Sequence, residues 1–361
     1  EVQQGGLIQH DGVTLTTIGT SGTAASGDLT VTTLRDITLS TMKVQNGDVN
    51  MVSELGLVED GTLADDADRA NLIIFNGQLV EMNAKSIGTK FEGGDINIDA
   101  LDIDELVAFE GGIFVGLNGR DGALANIASA TATDEGADIV LTSGDGMLKV
   151  EAATADDDLR LDVAGEADTD SLILGTLRAG GDLTLRSAAG NILQIVDTDV
   201  QATTAGALTR LGAGGNITLT AATNDFADLT VETGEDVHVV DASALNLLDV
   251  ITTGDFTLET QRQIAMQDNT AIRSGEGVSL LLATGNLTSG MSHEIKSGND
   301  VNVDINAGDW TAITSSSITA AQDVFADVVG NIDLRGTTSV VAGRTIGWVT
   351  DNSIVMQGIT T

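Results

Sequence analysis

The stretch "AGGDLTLRSAAGNILQI", residues 179–195, decides the fold of this chain. Two glycines are followed by an acid and then by apolar and polar residues in strict alternation. A close copy, "GAGGNITLTAATNDFADLTV", begins at residue 212. Alternation with a period of two is typical of a strand with one buried face. Repetition of such a unit along a chain indicates a solenoid, a propeller or an array.

One phrase recurs along the chain: glycine, then Asp or Asn, then apolar, polar and apolar residues. We expect its glycine to adopt a positive φ at a corner and its Asp or Asn to hydrogen bond to nearby backbone. The clearest copies are "GDLTV" (27–31), "GDVNM" (47–51), "GGDINI" (93–98), "GGDLTL" (180–185), "GGNITL" (214–219), "GDFTL" (254–258) and "GNIDL" (330–334).

The polarity of the phrase favours a parallel coil over an antiparallel sandwich, because every copy places the corner before the strand. Asn-Gly hairpin signals are few, and aromatic residues make up only 2% of the chain. The sequence therefore predicts an all-β fold, a right-handed parallel β-helix or β-solenoid, with Leu183, Ile217 and Phe256 among the residues lining its interior. At roughly 20 residues per turn, the chain would make about 18 turns.

The composition restricts the partners of this protein. There are 54 acidic and 16 Lys or Arg residues in 361, for a net charge of −38. This charge repels phosphate backbones and anionic membrane surfaces, so we expect no nucleic acid partner. No apolar run approaches the ~18 residues of a membrane span. The chain has no proline and no cysteine; proline cannot donate to a strand ladder, so its absence fits a chain whose N–H groups are used in ladders.

The domain prediction is a single continuous β-solenoid over 1–361. Two acidic stretches, 59–75 and 154–172, break the rhythm and are predicted to be loop excursions. The last segment, 344–361, is comparatively apolar and is predicted to dock onto a neighbour, since the end of a solenoid has unpaired strand edges. The expected assembly interface residues are Trp348, Ile354 and Met356.

The phrases "GGDLTLRSAAGNI" and "GGNITLTAATNDF" resemble the repeats of filamentous-haemagglutinin-type large exoproteins, and more generally of bacterial adhesins built on a right-handed parallel β-helix. The likeness covers about 175–340, with a weaker one over 25–105. The resemblance implies a secreted or cell-surface fibrous role. The Asn-Pro motif of that family's secretion domain is missing from this proline-free chain.

Carboxylates in two loops are the candidate metal ligands. Asp156, Asp157 and Asp158 of "ADDD" and Asp65 and Asp66 of "ADDAD" could bind calcium weakly, because carboxylate oxygens are its usual ligands. The series "DINID" (95–99) is instead predicted to be a strand, whose alternate residues do not converge on one ion.

A catalytic role finds little support, because the three histidines are scattered and no nucleophile, phosphate or dinucleotide motif is present. His238 in "EDVHVV" is expected to point outward from a strand.

The sequence thus predicts a structural or adhesive protein that is extracellular or on the cell surface, without catalysis and without a cofactor other than weakly bound calcium. It should self-associate end to end, and glycan binding is not expected. Two alternatives remain open: a polysaccharide-active lyase or glycosidase on the same scaffold, and a calcium-dependent surface binding module.

Overall fold

The computed structural model describes residues 5–9, 14–18, 27–61, 70–90, 94–117, 123–144, 146–165, 169, 171–335 and 339–356. Within these ranges the chain is all β, with no helix. The chain divides into two compact units, Glu1–Gly190 and Asn191–Thr361.

Unit 1 contains eighteen strands. They are β1 (Leu7–Ile8), β2 (Thr14–Ile18), β3 (Leu29–Thr33), β4 (Ile37–Leu39), β5 (Thr41–Gln45), β6 (Val49–Ser53), β7 (Val58–Asp60), β8 (Leu72–Phe75), β9 (Leu79–Ala84), β10 (Ile96–Asp99), β11 (Asp102–Ala108), β12 (Ile113–Leu117), β13 (Leu124–Ala132), β14 (Ile139–Ser143), β15 (Met147–Ala155), β16 (Leu159–Val163), β17 (Leu172–Ala179) and β18 (Leu183–Ser187).

Unit 2 contains the remaining strands. They are β19 (Ile192–Gln194), β20 (Val200–Ala202), β21 (Leu208–Ala213), β22 (Ile217–Leu219), β23 (Asp225–Phe226), β24 (Asp228–Thr233), β25 (Val237–Asp241), β26 (Leu245–Thr252), β27 (Phe256–Thr260), β28 (Ile264–Met266), β29 (Ala271–Ser274), β30 (Val278–Leu282), β31 (Leu287–Met291), β32 (Glu294–Ser297), β33 (Val301–Ile305), β34 (Trp310–Thr314), β35 (Ser317–Ala320), β36 (Val324–Val328), β37 (Ile332–Leu334), β38 (Ser339–Ala342), β39 (Ile346–Thr350) and β40 (Ile354–Met356).

Each unit is a parallel β-solenoid, as the sequence predicts. In unit 1 one column runs β2-β5-β8-β10-β12-β14-β16-β18, and every pairing in it is parallel. In unit 2 the later turns have three strands each, stacked in the columns β27-β30-β33-β36-β39, β28-β31-β34-β37-β40 and β29-β32-β35-β38.

The turns are longer than predicted. Phe256 pairs with Val278 and Val278 with Val301, which makes these turns 22 and 23 residues long. Between Val49 and Leu79 the turn holds 30 residues. The two units together have about 13 turns rather than about 18. The corners, which the repeated phrase does not measure, account for the extra residues.

The core of each unit is a stack of aliphatic side chains in register. Leu183 in unit 1, and Ile217 and Phe256 in unit 2, are fully buried, which confirms their predicted interior positions. Burying each such side chain contributes about 1.5–3 kcal/mol. In unit 2 the same interior position is occupied turn after turn by Val237, Phe256, Val278, Val301, Val324 and Ile346.

The predicted excursions are partly strand. β8 ends at Phe75, inside the 59–75 stretch, and β16 (Leu159–Val163) lies wholly within 154–172. β16 carries its charges on alternate, outward positions, with Leu159 and Leu161 buried between them. Dense charge is therefore compatible with a regular turn when it falls on one face. Among the described residues, no helix has the length and apolar character of a membrane span.

Candidate functional site

The Asp or Asn of the repeated phrase forms a ladder between turns. In unit 2, Oδ1 of Asp300 accepts a hydrogen bond of 3.0 Å from the backbone N–H of Asp323. Oδ1 of Asp323 accepts one of 2.9 Å from the N–H of Thr345. The same bond joins Asp28 to Asp48 in unit 1, at 3.0 Å. Each carboxylate or amide thus satisfies a corner N–H of the following turn, which a strand ladder leaves unpaired.

The glycine of the phrase has a different role from the one predicted. None of the phrase glycines that the structure describes has a positive φ. At Gly47 an added Cβ would lie 2.5 Å from the backbone nitrogen of Asp28 in the preceding turn. In the stacked corner that follows, a Cβ on Gly77 would lie 1.9 Å from the carbonyl oxygen of Gly47. These glycines are needed for close stacking of backbone on backbone, and Asn46 and Asn76 adopt the positive φ instead.

A second corner ladder is made by buried hydroxyl groups. The Ser274 hydroxyl donates to the carbonyl of Gly254 one turn earlier and accepts from the N–H of Glu276 at 3.3 Å. The Ser297 hydroxyl likewise donates to the Glu276 carbonyl. The repeated phrase does not include these residues, so the sequence analysis missed them. The available signal was a Ser or Thr at the last inward position of a strand.

Asp241 occupies such a hydroxyl position in unit 2, where it pairs in register with Thr260. Its side chain is fully buried. Oδ1 accepts from the N–H of Phe226 at 2.9 Å, and Oδ2 accepts from the N–H of Ser243 at 3.0 Å. Burial raises the pKa of Asp241 to about 6, against the opposing effect of these two hydrogen bonds. The nearby charge of Asp225 raises this pKa further.

The predicted calcium ligands are divided between two arrangements. Asp157 and Asp158 join Asp138, and one oxygen from each lies within 4.8 Å of the others. Asp156 is not in this cluster; its Oδ2 accepts from the N–H of Gly136 at 2.9 Å. The sequence analysis missed Asp138, which lies one turn before Asp158 and was hidden inside the loose phrase copy "GADIVL". Asp65 and Asp66 lie outside the described residues.

A lysine already neutralises part of this acidic cluster. Nζ of Lys90 lies 2.5 Å from Oδ2 of Asp138, whose side chain is only 7% exposed. The hydrogen bond and charge of Asp138 raise the pKa of Lys90. Partial desolvation, with the charges of Asp158 and Asp138, raises the pKa of Asp157. A metal ion at this cluster would have to compete with the lysine.

Two of the histidines are well placed in unit 2 and have no catalytic partner set around them in the described residues. His238 lies on the outer face, where Nε2 is 2.8 Å from Oε1 of Glu259. His293 is instead buried, with Nδ1 at 2.7 Å from the hydroxyl of Ser316 and 3.3 Å from the carbonyl of Gly290. Burial lowers the pKa of His293.

The predicted interface residues all lie in the last described turn of unit 2, formed by β38, β39 and β40. Each of these strands pairs with the preceding turn, and no described strand pairs with its other edge. Trp348 is half-buried, and its ring centroid is 5.5 Å from that of Trp310, tilted by 42°. Ile354 is 43% exposed and Met356 is half-buried, although both continue inward-facing positions of the core.

Comparison with known proteins gives one family match. Residues 157–232 match a family described as repeats of unknown function (DUF5649). No curated protein matches the chain significantly, and no solved structure does. The match covers part of both units and supports a repeat β-helix protein.

Proposed function

We propose that this chain is a structural β-solenoid, extracellular or at the cell surface, that forms a segment or subunit of a filament, sheath or surface layer and has no catalytic role. The observation that carries this proposal is the corner ladder. It ties each turn to the next through side chains as well as through strands, which makes the stack resistant to separation of its turns. A load-bearing element needs that property, whereas a catalytic site does not.

The outer surface supports the same proposal. Exposed acidic side chains such as Asp304 and Asp327 stack directly above one another on β33 and β36. With a net charge of −38, such faces repel other copies and limit lateral clumping. An adhesive role of the filamentous-haemagglutinin type would use the same scaffold, with the target bound on the outer faces.

Self-association end to end is the second part of the proposal. The axial edge of β38, β39 and β40 offers backbone groups together with the partly exposed apolar side chains of Trp348, Ile354 and Met356. An open strand edge is a template for another strand. A second copy that adds its own parallel turn to this edge would extend the stack without closing it, and repeated addition of this kind produces a filament.

Negative-stain electron microscopy of the full chain tests this function. We expect fibres or rods of more than one chain length, and their shortening to single-chain particles in Ile354→Asp, which places a charge on the axial edge. Val196→Asp is the matched control, because Val196 is 83% exposed in the same unit but away from that edge. Single-chain particles in the unaltered protein at all concentrations would contradict end-to-end joining. Brief protease treatment of intact source cells should remove the protein, and full protection would contradict the surface location.

A further inference from the structure

The outward side chains of the last described turn of unit 2 differ in character from those of the turns before it. One outward column runs Arg273, Lys296, Thr319 and then Val341. A second runs Asp304, Asp327 and then Val349. A third runs Thr311, Asp333 and then Val355. All three columns change from polar or charged residues to valine at the same level.

These valines are accessible. Val341, Val349 and Val355 are 44%, 59% and 41% exposed. We call Val341, Val349 and Val355 the valine collar. Phe325, 45% exposed, extends it on the face that carries β39, because its ring lies against the backbone of Gly347. Apolar side chains gathered at one level of an otherwise polar surface mark a contact site.

The collar is also electrically neutral, in contrast to the rest of the chain. Residues 339–356 contain one arginine and one aspartate, within a chain of net charge −38. The arginine, Arg344, is already paired with Asp323 of the preceding turn. A basic partner would be drawn to the acidic faces rather than to this level. A second copy of the chain is repelled by those same faces, so the neutral collar is where two copies can approach closely.

We propose that the valine collar is a lateral contact between two copies of this chain, each presenting the same collar to the other. The contact is isologous, since one apolar patch meets its own equivalent across a two-fold axis. It uses side chains that point away from the stack and leaves the axial edge of β38, β39 and β40 free. It is therefore independent of the end-to-end joining proposed above.

Sedimentation velocity of the full chain over a range of concentrations tests the contact. We expect a dimer whose population increases between about 0.05 M and about 0.5 M NaCl, because salt screens the repulsion between the acidic bodies. The double variant Val341→Thr/Val349→Thr keeps β-branched residues but adds hydroxyl groups, and it should weaken dimerisation by about tenfold or more. Ile251→Thr is the matched control, because Ile251 is 48% exposed and outward in the same unit but lies far from the collar along the stack.

Single cysteines identify the geometry, because the chain has no cysteine of its own. Under mild oxidation, at least one of Val341→Cys, Val349→Cys and Val355→Cys should give a covalent dimer, and Ile251→Cys should not. Unchanged thermal melts would show that the variants remain folded. A monomer at every salt concentration would overturn the proposal, and so would a dimer that weakens with salt or ignores the collar substitutions. Assembly that is lost only in Ile354→Asp would overturn the collar while supporting end-to-end joining.

Discussion

Oδ1 of Asp236 accepts a 2.9 Å hydrogen bond from the backbone N–H of Asp255, so the acid of one turn caps the chain of the next. Oδ1 of Asp255 in turn accepts a 2.7 Å bond from the N–H of Gly277. The two carboxylates therefore occupy equivalent corners of adjacent turns. Their acceptor oxygens stabilise the stack, whereas their like charges repel one another.

Substitution at Asp255 separates these two effects. Asp255→Ala removes the acceptor and should lower the free energy of unfolding by about 1 kcal/mol. Asp255→Asn keeps an acceptor oxygen and removes the repulsion from Asp236, so it should be neutral or stabilising at low salt, with the difference vanishing at high salt. Urea denaturation at two salt concentrations measures both, with Asp304→Ala on the outer face as the control. Equal losses in the Ala and Asn variants would show that the ladder bond does not matter.

Gly77 tests the stacking of corner backbones. A Cβ at this position would lie 1.9 Å from the carbonyl oxygen of Gly47, and backbone cannot move away as a side chain can. Gly77→Ala should therefore destabilise unit 1 by at least about 2 kcal/mol. The matched control is Gly144→Ala, since a Cβ at Gly144 meets nothing within 4 Å. Thermal denaturation followed by circular dichroism compares them, and similar melting temperatures for the two variants would refute the close-approach explanation.

Asp241 should make unit 2 less stable as the pH rises. Its pKa is about 6 in the folded protein and 3.8 in the unfolded reference, so the folded state holds the proton over this interval. Its contribution to stability is fully present below 3.8 and is lost as the pH rises through about 6. The full difference corresponds to about 3 kcal/mol. Asp241→Asn should remove this decline in urea denaturation between pH 4 and pH 7, and Asp304→Asn should not. An unaltered profile in Asp241→Asn would contradict the assignment.

His293 should act in the opposite direction. Its pKa is lowered by burial from the ordinary 6.5, so below that pH the unfolded chain takes up a proton that the folded protein resists. Its contribution to stability is present above pH 6.5 and is lost as the pH falls below it. His293→Phe, which fills the site with an apolar ring, should reduce the loss of stability on acidification, measured by denaturation at pH 5 and pH 7. His238→Phe on the outer face is the control, and equal effects of the two would count against a special role for the buried ring.

Lys90 should determine whether the cluster of Asp138, Asp157 and Asp158 binds calcium. Lys90→Met leaves the buried Asp138 carboxylate without its cation and should cost about 1–3 kcal/mol at neutral pH. Calcium should restore part of this loss, since a ligand that binds only the folded state raises its melting temperature. Lys85→Met, which breaks the exposed pair with Glu110, is the control and should show neither effect. A melting temperature of Lys90→Met that calcium does not change would argue against an ion at this cluster.

The sequence alone was enough for the strand and the coil. Strict alternation in "GGDLTL" and "GGNITL" predicts which side chains are buried, because successive residues of a strand point to opposite faces. Leu183, Ile217 and Phe256 are accordingly in the core. The constant order of corner and strand also predicted parallel stacking. These features are local and repeat at each turn, so they can be read without knowing which turn lies next to which.

Only the tertiary structure decided what each corner residue does. The partner of Asp255 is Gly277, 22 residues later, and the neighbour of Gly77 is Gly47, 30 residues earlier. Lys90 meets Asp138 at a separation of 48 residues. Such distances depend on the length of every intervening corner, and corner lengths vary along this chain. The sequence therefore determined the period-two pattern and the residues of the core, whereas the register between turns determined the ladders, the buried Asp241 and His293, and the level at which the valines come together.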